Sequence, residues 1–402
     1  MSREEALAHF REQAVPLARQ KVLREFMDCW KEEKTARMRE FVHSFQELCM
    51  SIRMKQLAGE KGRIGFITYS MLRTDIAHDR ASYLVQASDA SWLFDSRPVE
   101  DTYDASWAFC YLDRLMDELT RAATGYSGAV TLPQLDRIRL LEAEHFHRFV
   151  VNLIRRSLME AAALPEFKEL KKEAVFEVRV GEYLSHSECV FRLDERERDS
   201  EEVRAWLQEK NDSAAYTYED FYGFDLSSGD YHALDFRYSS FRNCDLKRSR
   251  LGEGFLLGTV WNDCQLDSTD FAYSLVQGAK YSGSSMKASI FRNVQGKAGM
   301  PVPDWAPPCV EGVRFTDCDL AEADFTRAKL DGAVFVRTCL RGANFRGASL
   351  QGVRFQKSDL TNADFREANL TDTDFSDSCL DGATFPEREA CLSLSQGKGS
   401  PS

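Results

Sequence analysis

The sequence predicts an α+β protein: a mostly helical N-terminal domain with a small antiparallel β element, followed by a long region of short repeated strands. In the first part, apolar residues recur at helical spacing, and two runs there are rich in β-branched and aromatic residues. Further along, apolar residues recur at every fifth position instead. The expected divisions are an N-terminal domain, a charged connector that covers the first repeat, the repeats, and a short capping helix with a disordered tail, at residues 1–193, 194–220, 221–385 and 386–402.

The repeat is most regular in its second half, where phenylalanine and leucine alternate at every fifth position. A small or modest side chain two residues earlier completes a two-position template. Fifteen consecutive units match this template, so chance is not a plausible origin, and the repeat is the main guide to the fold. The large residues are Phe315, Leu320, Phe325, Leu330, Phe335, Leu340, Phe345, Leu350, Phe355, Leu360, Phe365, Leu370, Phe375, Leu380 and Phe385.

The same template appears earlier in a different phase, from Phe221 to Phe291, with tyrosine, tryptophan and methionine at some of the large positions. A segment rich in proline and glycine, residues 292–312, separates the two runs and cannot continue a hydrogen-bonded ladder throughout. The step from Phe291 to Phe315 is 24 where five would suffice, so an excess of 19 is expected to loop out. This loop is either a tolerated surface excursion or a binding loop.

A period of five indicates that each unit makes one short side and one tight turn, so that four units close one square coil. Backbone hydrogen bonds then join successive coils at a spacing of about 4.8 Å, and large side chains stack in columns. The units A-D-F-R-E (363–367) and A-N-L-T-D (368–372) resemble the pentapeptide repeat family, whose pattern is A-(D/N)-L-x-x. The resemblance implies a right-handed quadrilateral β-helix. We expect both runs to stack into one rod, because residues 292–312 can supply one side of a coil.

Some apolar residues fall on positions that the repeat places outside, and these form the predicted interaction surface. Residues four units apart lie on one face, so Phe255 and Leu275 share a column and Leu257 lies beside them. Exposed apolar clusters usually mark an interface, either with the N-terminal domain or with another protein. The second run and the loop add further candidates, Val334, Val336 and Trp305.

The N-terminal region resembles no family, and its pattern predicts helices and strands only. Helices are expected over 2–27, 30–58, 102–123 and 132–163, and a short helix with Trp206 on its apolar face is expected in the connector. Residues 64–69 and 82–87 are expected to form two antiparallel strands, and residues 175–180 a third strand.

Two pairs with the spacing Glu-x-x-His raise the possibility of a metal site in this region. Glu40 with His43, and Glu142 with His145, would each share a helix face, as in di-iron helical bundles; Glu144 and His147 form an overlapping pair. Such pairs also arise by chance on glutamate-rich helices, and the sequence favours that alternative. No nucleotide-binding or nucleophile motif occurs in a strand–turn–helix setting, so we expect neither an enzyme nor a cofactor.

Composition and charge limit the class of partner and the cellular location that we expect. The chain has 402 residues and a net charge of −12, which argues against direct binding to nucleic acid. Its N-terminus lacks a secretory signal, and no apolar run is long enough to span a bilayer. Eleven cysteines are scattered without a CxxC pair, which is typical of reduced core thiols in a cytoplasmic protein.

Three functions fit these observations. The first is a non-catalytic, protein-binding scaffold, with specificity supplied by the N-terminal domain and the irregular coils. The second follows from resemblance to the quinolone-resistance branch of the family, whose members mimic duplex DNA and bind DNA gyrase or topoisomerase IV. Residues 315–385 carry 12 acidic and 8 basic side chains, a mixture that disfavours a mimic. The third is a metalloenzyme with accessory repeats.

Overall fold

The computed structural model describes residues 2–210, 216–298 and 311–386. The chain divides into two compact units with a boundary between Glu195 and Arg196. The first unit is helical with a mixed sheet, and the second consists of the repeats and a preceding short helix. Residues 211–215, 299–310 and 387–402 lie outside the described part, and so do the predicted capping helix and tail beyond Pro386.

Seven α-helices are described. They are α1 (Arg3–His9), α2 (Val15–Leu57), α3 (Arg73–Ile76), α4 (Ser106–Ala123), α5 (Leu132–Ala161), α6 (Pro165–Lys168) and α7 (Ser200–Gln208). A π-helical turn, Phe10–Ala14, joins α1 to α2. It lies just before Pro16, which has no N–H to donate to the preceding turn.

The first two predicted helices are one long helix after this turn, so the prediction of a break near residue 28 was wrong. No glycine or proline interrupts α2 between Pro16 and its end, and Phe26 and Trp30 are buried on the same face of it. Phe26 stacks on Tyr111 of α4 with ring centroids 4.4 Å apart, and Trp30 stacks on Trp107 at 5.3 Å. Packing against α4 therefore supports the helix through the region where a break was expected.

The sheet of the first unit has five strands in the order β3-β2-β1-β4-β5. Its strands are β1 (Ile64–Met71), β2 (Ser82–Ser88), β3 (Val99–Asp104), β4 (Lys172–Glu182) and β5 (Ser187–Asp194). The predicted antiparallel pairing of the first two strands is confirmed. The third predicted strand is β4, which pairs in parallel with β1.

Two of these strands were not predicted. The helix expected from residue 102 begins at Ser106, because β3 precedes it and pairs with β2. Only Val99 and Tyr103 of β3 are buried, so its apolar signal is sparse. β5 ends at Asp194, where the charged connector was expected to start, and it pairs with β4.

The second unit contains seven three-residue strands in parallel register. They are β6 (Asp220–Tyr222), β7 (Ser240–Arg242), β8 (Val260–Asn262), β9 (Lys280–Ser282), β10 (Arg314–Thr316), β11 (Val334–Val336) and β12 (Arg354–Gln356). Three further ladders of single parallel bridges accompany them, such as Asp225↔Asp245, Asp230↔Arg250 and Asp235↔Phe255. Each coil therefore has four pairing positions, as the period of five predicts.

The large side chains stack in the columns that the sequence predicts. Phe315, Phe335 and Phe355 follow one another with centroid distances of 4.8 Å. Phe325 and Phe345 belong to a second column with the same spacing, and rings of the two columns meet nearly at right angles. Stacked and edge-to-face pairs are the favoured aromatic geometries, so the core gains contact energy in both directions.

The turn position of each unit has a positive backbone φ in most coils. Asp317 and Arg337 have φ values of 54° and 52°, and Gly332 and Gly352 occupy the equivalent position at another corner with 72° and 64°. Left-handed backbone is costly for most side chains but not for glycine, and asparagine and aspartate tolerate it better than other residues. The frequent Asn, Asp and Gly at this place in the repeat follow from this requirement.

The two runs form one continuous stack. Tyr281 pairs with Phe315, and their rings stack with centroids 4.9 Å apart. The numbers of paired residues differ by 34 here, whereas they differ by 20 in the other strand pairs, so the excess is 14 and not the 19 expected. The difference arises because Gly296 continues the column of large residues. Its N–H donates to the carbonyl of Lys329 in the next coil, as the N–H of Phe291 does to the carbonyl of Asp324.

Gly296 shows why glycine stands in a core column. A Cβ atom placed on it would lie 2.6 Å from Cγ2 of Val313 and 2.9 Å from Cδ2 of Leu330. The space that a leucine or phenylalanine fills elsewhere is filled here by its neighbours. The glycine therefore continues the fold at this point, although the local composition predicts a break.

The two ends of the stack differ. Val203 and Leu207 of α7 are buried against Tyr216 and Phe221, so the connector covers the first coil, as expected. Tyr216 is fully buried, which places the start of the repeat one unit earlier than residue 221. In the last coil, the inward residues are only partly buried, including Phe375, Leu380 and Phe385.

Replacing Tyr281 by phenylalanine is expected to stabilise the repeat. The ring is 1% exposed, and its hydroxyl has no hydrogen-bond partner among the described residues. An unpaired buried hydroxyl costs about 1 kcal/mol or more, so its removal should raise the free energy of unfolding by about that amount in urea denaturation. The matched control is Tyr216→Phe, since that hydroxyl donates to the carbonyl of Trp206 at 3.1 Å and its loss should destabilise. A destabilised Tyr281→Phe variant would contradict the prediction.

Candidate functional site: the strand face of the repeat

The strands β6 to β12 lie in register on one side of the stack, which we call the strand face. In each strand the central residue points into the core, and the two flanking residues stand on the outside. Phe335, for example, is fully buried between Val334 and Val336. Each coil thus presents two outward side chains at a fixed spacing from those of the next coil.

The predicted apolar residues of the strand face are less exposed than expected. Val334 is 8% exposed and Val336 is half-buried. Val334 lies directly between Arg314 and Arg354 in the ladder, so the long stems of its neighbours can cover it. The two valines form an apolar row between the row of Arg314 and the row of Arg354.

Three cations accompany these valines in one column of the strand face. Lys280 pairs in register with Arg314, which pairs with Val334, which pairs with Arg354. All three cations are exposed, and none forms an ion pair with a carboxylate among the described residues. Other arginines of the repeat are paired: Arg341 with Asp359, Arg346 with Glu367, and Arg366 with Asp364.

The apolar cluster predicted in the first run is not an exposed surface. Leu257 is 1% exposed, and Phe255 and Leu275 are half-buried. The prediction that Leu257 is accessible was wrong: in the stack Leu257 lies between Arg237 and Gln277, and Gln277 is itself only 3% exposed. Trp305 lies outside the described residues.

The first predicted metal pair lies on the surface of α2. Glu40 accepts a hydrogen bond from Arg37 at 3.0 Å, and His43 lies 3.5 Å from Glu47, one turn further along. Among the described residues, no three His, Cys, Asp or Glu side chains are arranged to hold a metal ion.

The second predicted pair takes part in an ion-pair cluster between α2 and α5. Arg19 donates from Nη1 to Oε1 of Glu142 at 3.2 Å and to Nε2 of His145 at 3.0 Å. Burial raises the pKa of Glu142, and the guanidinium of Arg19 offsets part of that effect. A guanidinium thus occupies the place that a metal ion would need between these two side chains.

His147 lies on another face of α5 and is buried with Tyr83. The hydroxyl of Tyr83 lies 2.7 Å from Nδ1 of His147, and the two rings are nearly parallel. Burial lowers the pKa of His147 to about 4, and the charges of Arg148 and His186 contribute to the same shift. The imidazole is therefore neutral at physiological pH, and this hydrogen bond ties α5 to β2.

Three cysteines of the repeat occupy small inward positions, whereas Cys339 is half-buried and Cys379 is exposed. Cys244 and Cys264 are fully buried one coil apart, and Cys318 is buried in the same column. Burial raises the pKa of Cys264 to about 12 and that of Cys318 to about 11. These thiols are therefore protonated packing residues.

Stacked coils of four five-residue units, with an inward large residue and an inward small residue in each unit, define a pentapeptide repeat architecture. The family model described as the pentapeptide repeat region matches residues 310–385, which confirms the resemblance for that part of the chain. The N-terminal region has no family match.

Several solved pentapeptide repeat structures resemble the chain. A trypsin-treated variant of QnrB1, a plasmid-mediated fluoroquinolone resistance protein, is 18% identical, with 45% of this chain and 91% of that chain covered and a TM-score of 0.33. HetL, involved in heterocyst differentiation regulation in the cyanobacterium Nostoc sp. strain PCC 7120, is 17% identical, with 48% and 98% covered and a TM-score of 0.19. A protein of the Arabidopsis thaliana thylakoid lumen is 23% identical, with 39% and 68% covered and a TM-score of 0.14. No curated protein sequence matches significantly.

The sequence alone did not reveal the cation column. Arg314 and Arg354 are separated by eight repeat units, or two full coils, and that spacing places them on one face. Lys280 was hidden, because its distance to Arg314 includes the insertion and only the observed offset brings the two together.

In the described part of the chain, no helix is long and apolar enough to cross a membrane.

Proposed function

We propose that this chain is a non-catalytic, cytoplasmic, protein-binding scaffold whose repeats close into a right-handed quadrilateral β-helix. The observation that carries the proposal is the unbroken register from β6 to β12, including the pairing of Tyr281 with Phe315 across the insertion. Such a stack holds outward side chains at fixed positions over several coils. Binding then costs little ordering of the surface, which favours recognition of an extended partner.

The strand face is the proposed binding surface. Its half-buried Val336 offers apolar contact, and its exposed cations offer charge. Specificity would come from the N-terminal domain and the irregular first coils. A DNA mimic requires a dense acidic face, so the cationic column favours a protein scaffold over the gyrase-binding alternative.

The experiment is affinity capture with the full-length protein and two variants. Val336→Glu places a charge on the strand face, and Ala321→Glu places the same charge at an outward position elsewhere on the stack. We expect a partner that wild-type protein and Ala321→Glu retain and that Val336→Glu loses. Capture of the same proteins by all three would overturn the strand face as the binding surface. Inhibition of gyrase supercoiling at about micromolar protein would favour the mimic instead.

A further inference from the structure

The column Lys280–Arg314–Val334–Arg354 has a regular geometry that sets what can bind to it. Each step between paired residues is one coil, about 4.8 Å. Arg314 and Arg354 are separated by two steps, about 10 Å, with Val334 midway and Val336 beside it. The surface therefore alternates a cationic row, an apolar row and a second cationic row, with Lys280 one step beyond.

Lys280 and Arg314 of this column form no ion pair with a carboxylate among the described residues, whereas Arg354 stands in register with Asp374, where hydrogen bonds from Ser376, aided by the charge of Arg354, lower the pKa of that carboxyl. Arg242 on the same face contacts Asp220, and Arg337 at the next corner donates from Nε to Asp317 at 2.6 Å. Lys280 and Arg314 instead stand directly opposite each other, an arrangement that is unfavourable for like charges. The next acidic residue in the column is Asp374, which follows Arg354 and accepts from the backbone N–H of Ser376 at 2.9 Å.

We propose that this column binds an acidic α-helix of a partner protein that lies along the axis of the stack. Carboxylates at positions i and i+7 of a helix are about 10.5 Å apart on one face, which matches the separation of the rows of Arg314 and Arg354. An apolar residue at i+3 or i+4 of the same face then lies against the half-buried Val336, beside the row of Val334. A further carboxylate one turn earlier reaches Lys280. This inference rests on the proposed scaffold function and names the chemistry of its partner.

A nucleic acid fits the column less well. Three cations neutralise about three phosphates, whereas stable nonspecific binding uses several more, and the chain carries a net charge of −12. The half-buried Val336 also offers apolar contact that a phosphate backbone cannot use. Single-stranded DNA is therefore a control ligand in the test.

The test uses the full-length protein and a fluorescent, lactam-constrained helical peptide of about five turns, with Glu at i and i+7 and Leu at i+3 and i+4. The constraint is needed because short isolated helices are marginal in water. We expect a dissociation constant of about 10 to 100 μM by fluorescence anisotropy. A peptide of the same composition with the two glutamates on opposite faces should bind about ten-fold more weakly.

Charge reversal identifies the surface. Arg314→Glu and Arg354→Glu should each weaken binding about ten-fold or more, because each turns an attraction into a repulsion. The matched control is Arg248→Glu, since Arg248 is also exposed and has no ion-pair partner among the described residues but stands at another corner. Its affinity should stay within about two-fold of wild type. Because all three side chains are exposed, circular dichroism should confirm unchanged folds.

Three results would overturn the inference: no binding at about millimolar peptide, equal binding of the two peptides, or equal loss in all three variants. Tighter binding of single-stranded DNA than of the peptide would assign the column to nucleic acid. If the captured partner still depends on Val336 while the peptide does not bind, the scaffold proposal stands and only the acidic-helix inference fails. If capture shows no such dependence while the peptide binds as expected, the column binds acidic helices, but the strand face is not the surface through which the captured partners bind.

Discussion

Replacing Arg198 by alanine is expected to open the first coil of the repeat. The guanidinium of Arg198 donates to Oε2 of Glu219 at 3.1 Å and lies over the ring of Trp206. The side chain of Glu219 is 1% exposed and occupies a small inward position of the first coil. Without Arg198, a buried carboxylate loses a charged partner, which is expected to cost about 3 kcal/mol.

Hydrogen exchange measured by mass spectrometry checks this prediction. Arg198→Ala should lose amide protection over residues 216–242, while the coils around Phe345 keep theirs, since local opening starts where stabilisation is lost. Arg337→Ala is the matched control because it breaks an exposed pair, with side chains 53% and 50% exposed, and should cost less than about 1 kcal/mol. Adding Glu219→Gln to Arg198→Ala should recover part of the loss, because the buried side chain no longer carries a charge. Unchanged protection of the first coil in Arg198→Ala would contradict the role assigned to this pair.

The stability of the N-terminal domain is expected to fall as the pH drops from 7 to 5. Burial holds the pKa of His147 at about 4, whereas in the unfolded chain it returns to its ordinary value of 6.5. Below pH 6.5 His147 is protonated in the unfolded state but stays neutral in the folded state, so stability is lost as the pH falls toward 4. The loss from this group between pH 7 and pH 5 is about 2 kcal/mol.

The variant His147→Gln isolates this contribution from the carboxylates that titrate in the same range. An amide oxygen can still accept from the hydroxyl of Tyr83 but does not ionise. Urea denaturation of His147→Gln should therefore show a pH dependence weaker by about 2 kcal/mol than that of wild type. Equal pH dependence in wild type and His147→Gln would refute the assignment.

The sequence was sufficient to predict the features of the fold that depend on a repeated local pattern. The period of five predicted the columns, as the stacking of Phe325 on Phe345 shows. The β-branched runs predicted the pairing of β1 with β2. Strand β3 was missed because edge pairing with β2, rather than its own polar residues Glu100 to Thr102, holds it in the sheet.

Features that depend on one exceptional residue could not be predicted in this way. Gly296 lies in a segment with the composition of a loop, but it occupies a position in a core column. The predicted excess of 19 residues was wrong because of that single position. The burial of Leu257 and the Arg19 contact of His145 depend on neighbours that are distant in sequence. The pairing of Lys280 with Arg314 could not be predicted, because it depends on the offset of 34 residues between the paired strands on either side of the insertion.

The enlarged step from Tyr281 to Phe315 has a practical meaning for protein engineering. The coils on either side recognise each other through stacked rings and cross-coil hydrogen bonds, so the covalent link between them does not set their alignment. A reporter domain inserted, or a cleavage site introduced, between Ala298 and Glu311 should leave the two halves in the same alignment. The protein thus offers a natural position for splitting into fragments whose reassembly reports on their encounter.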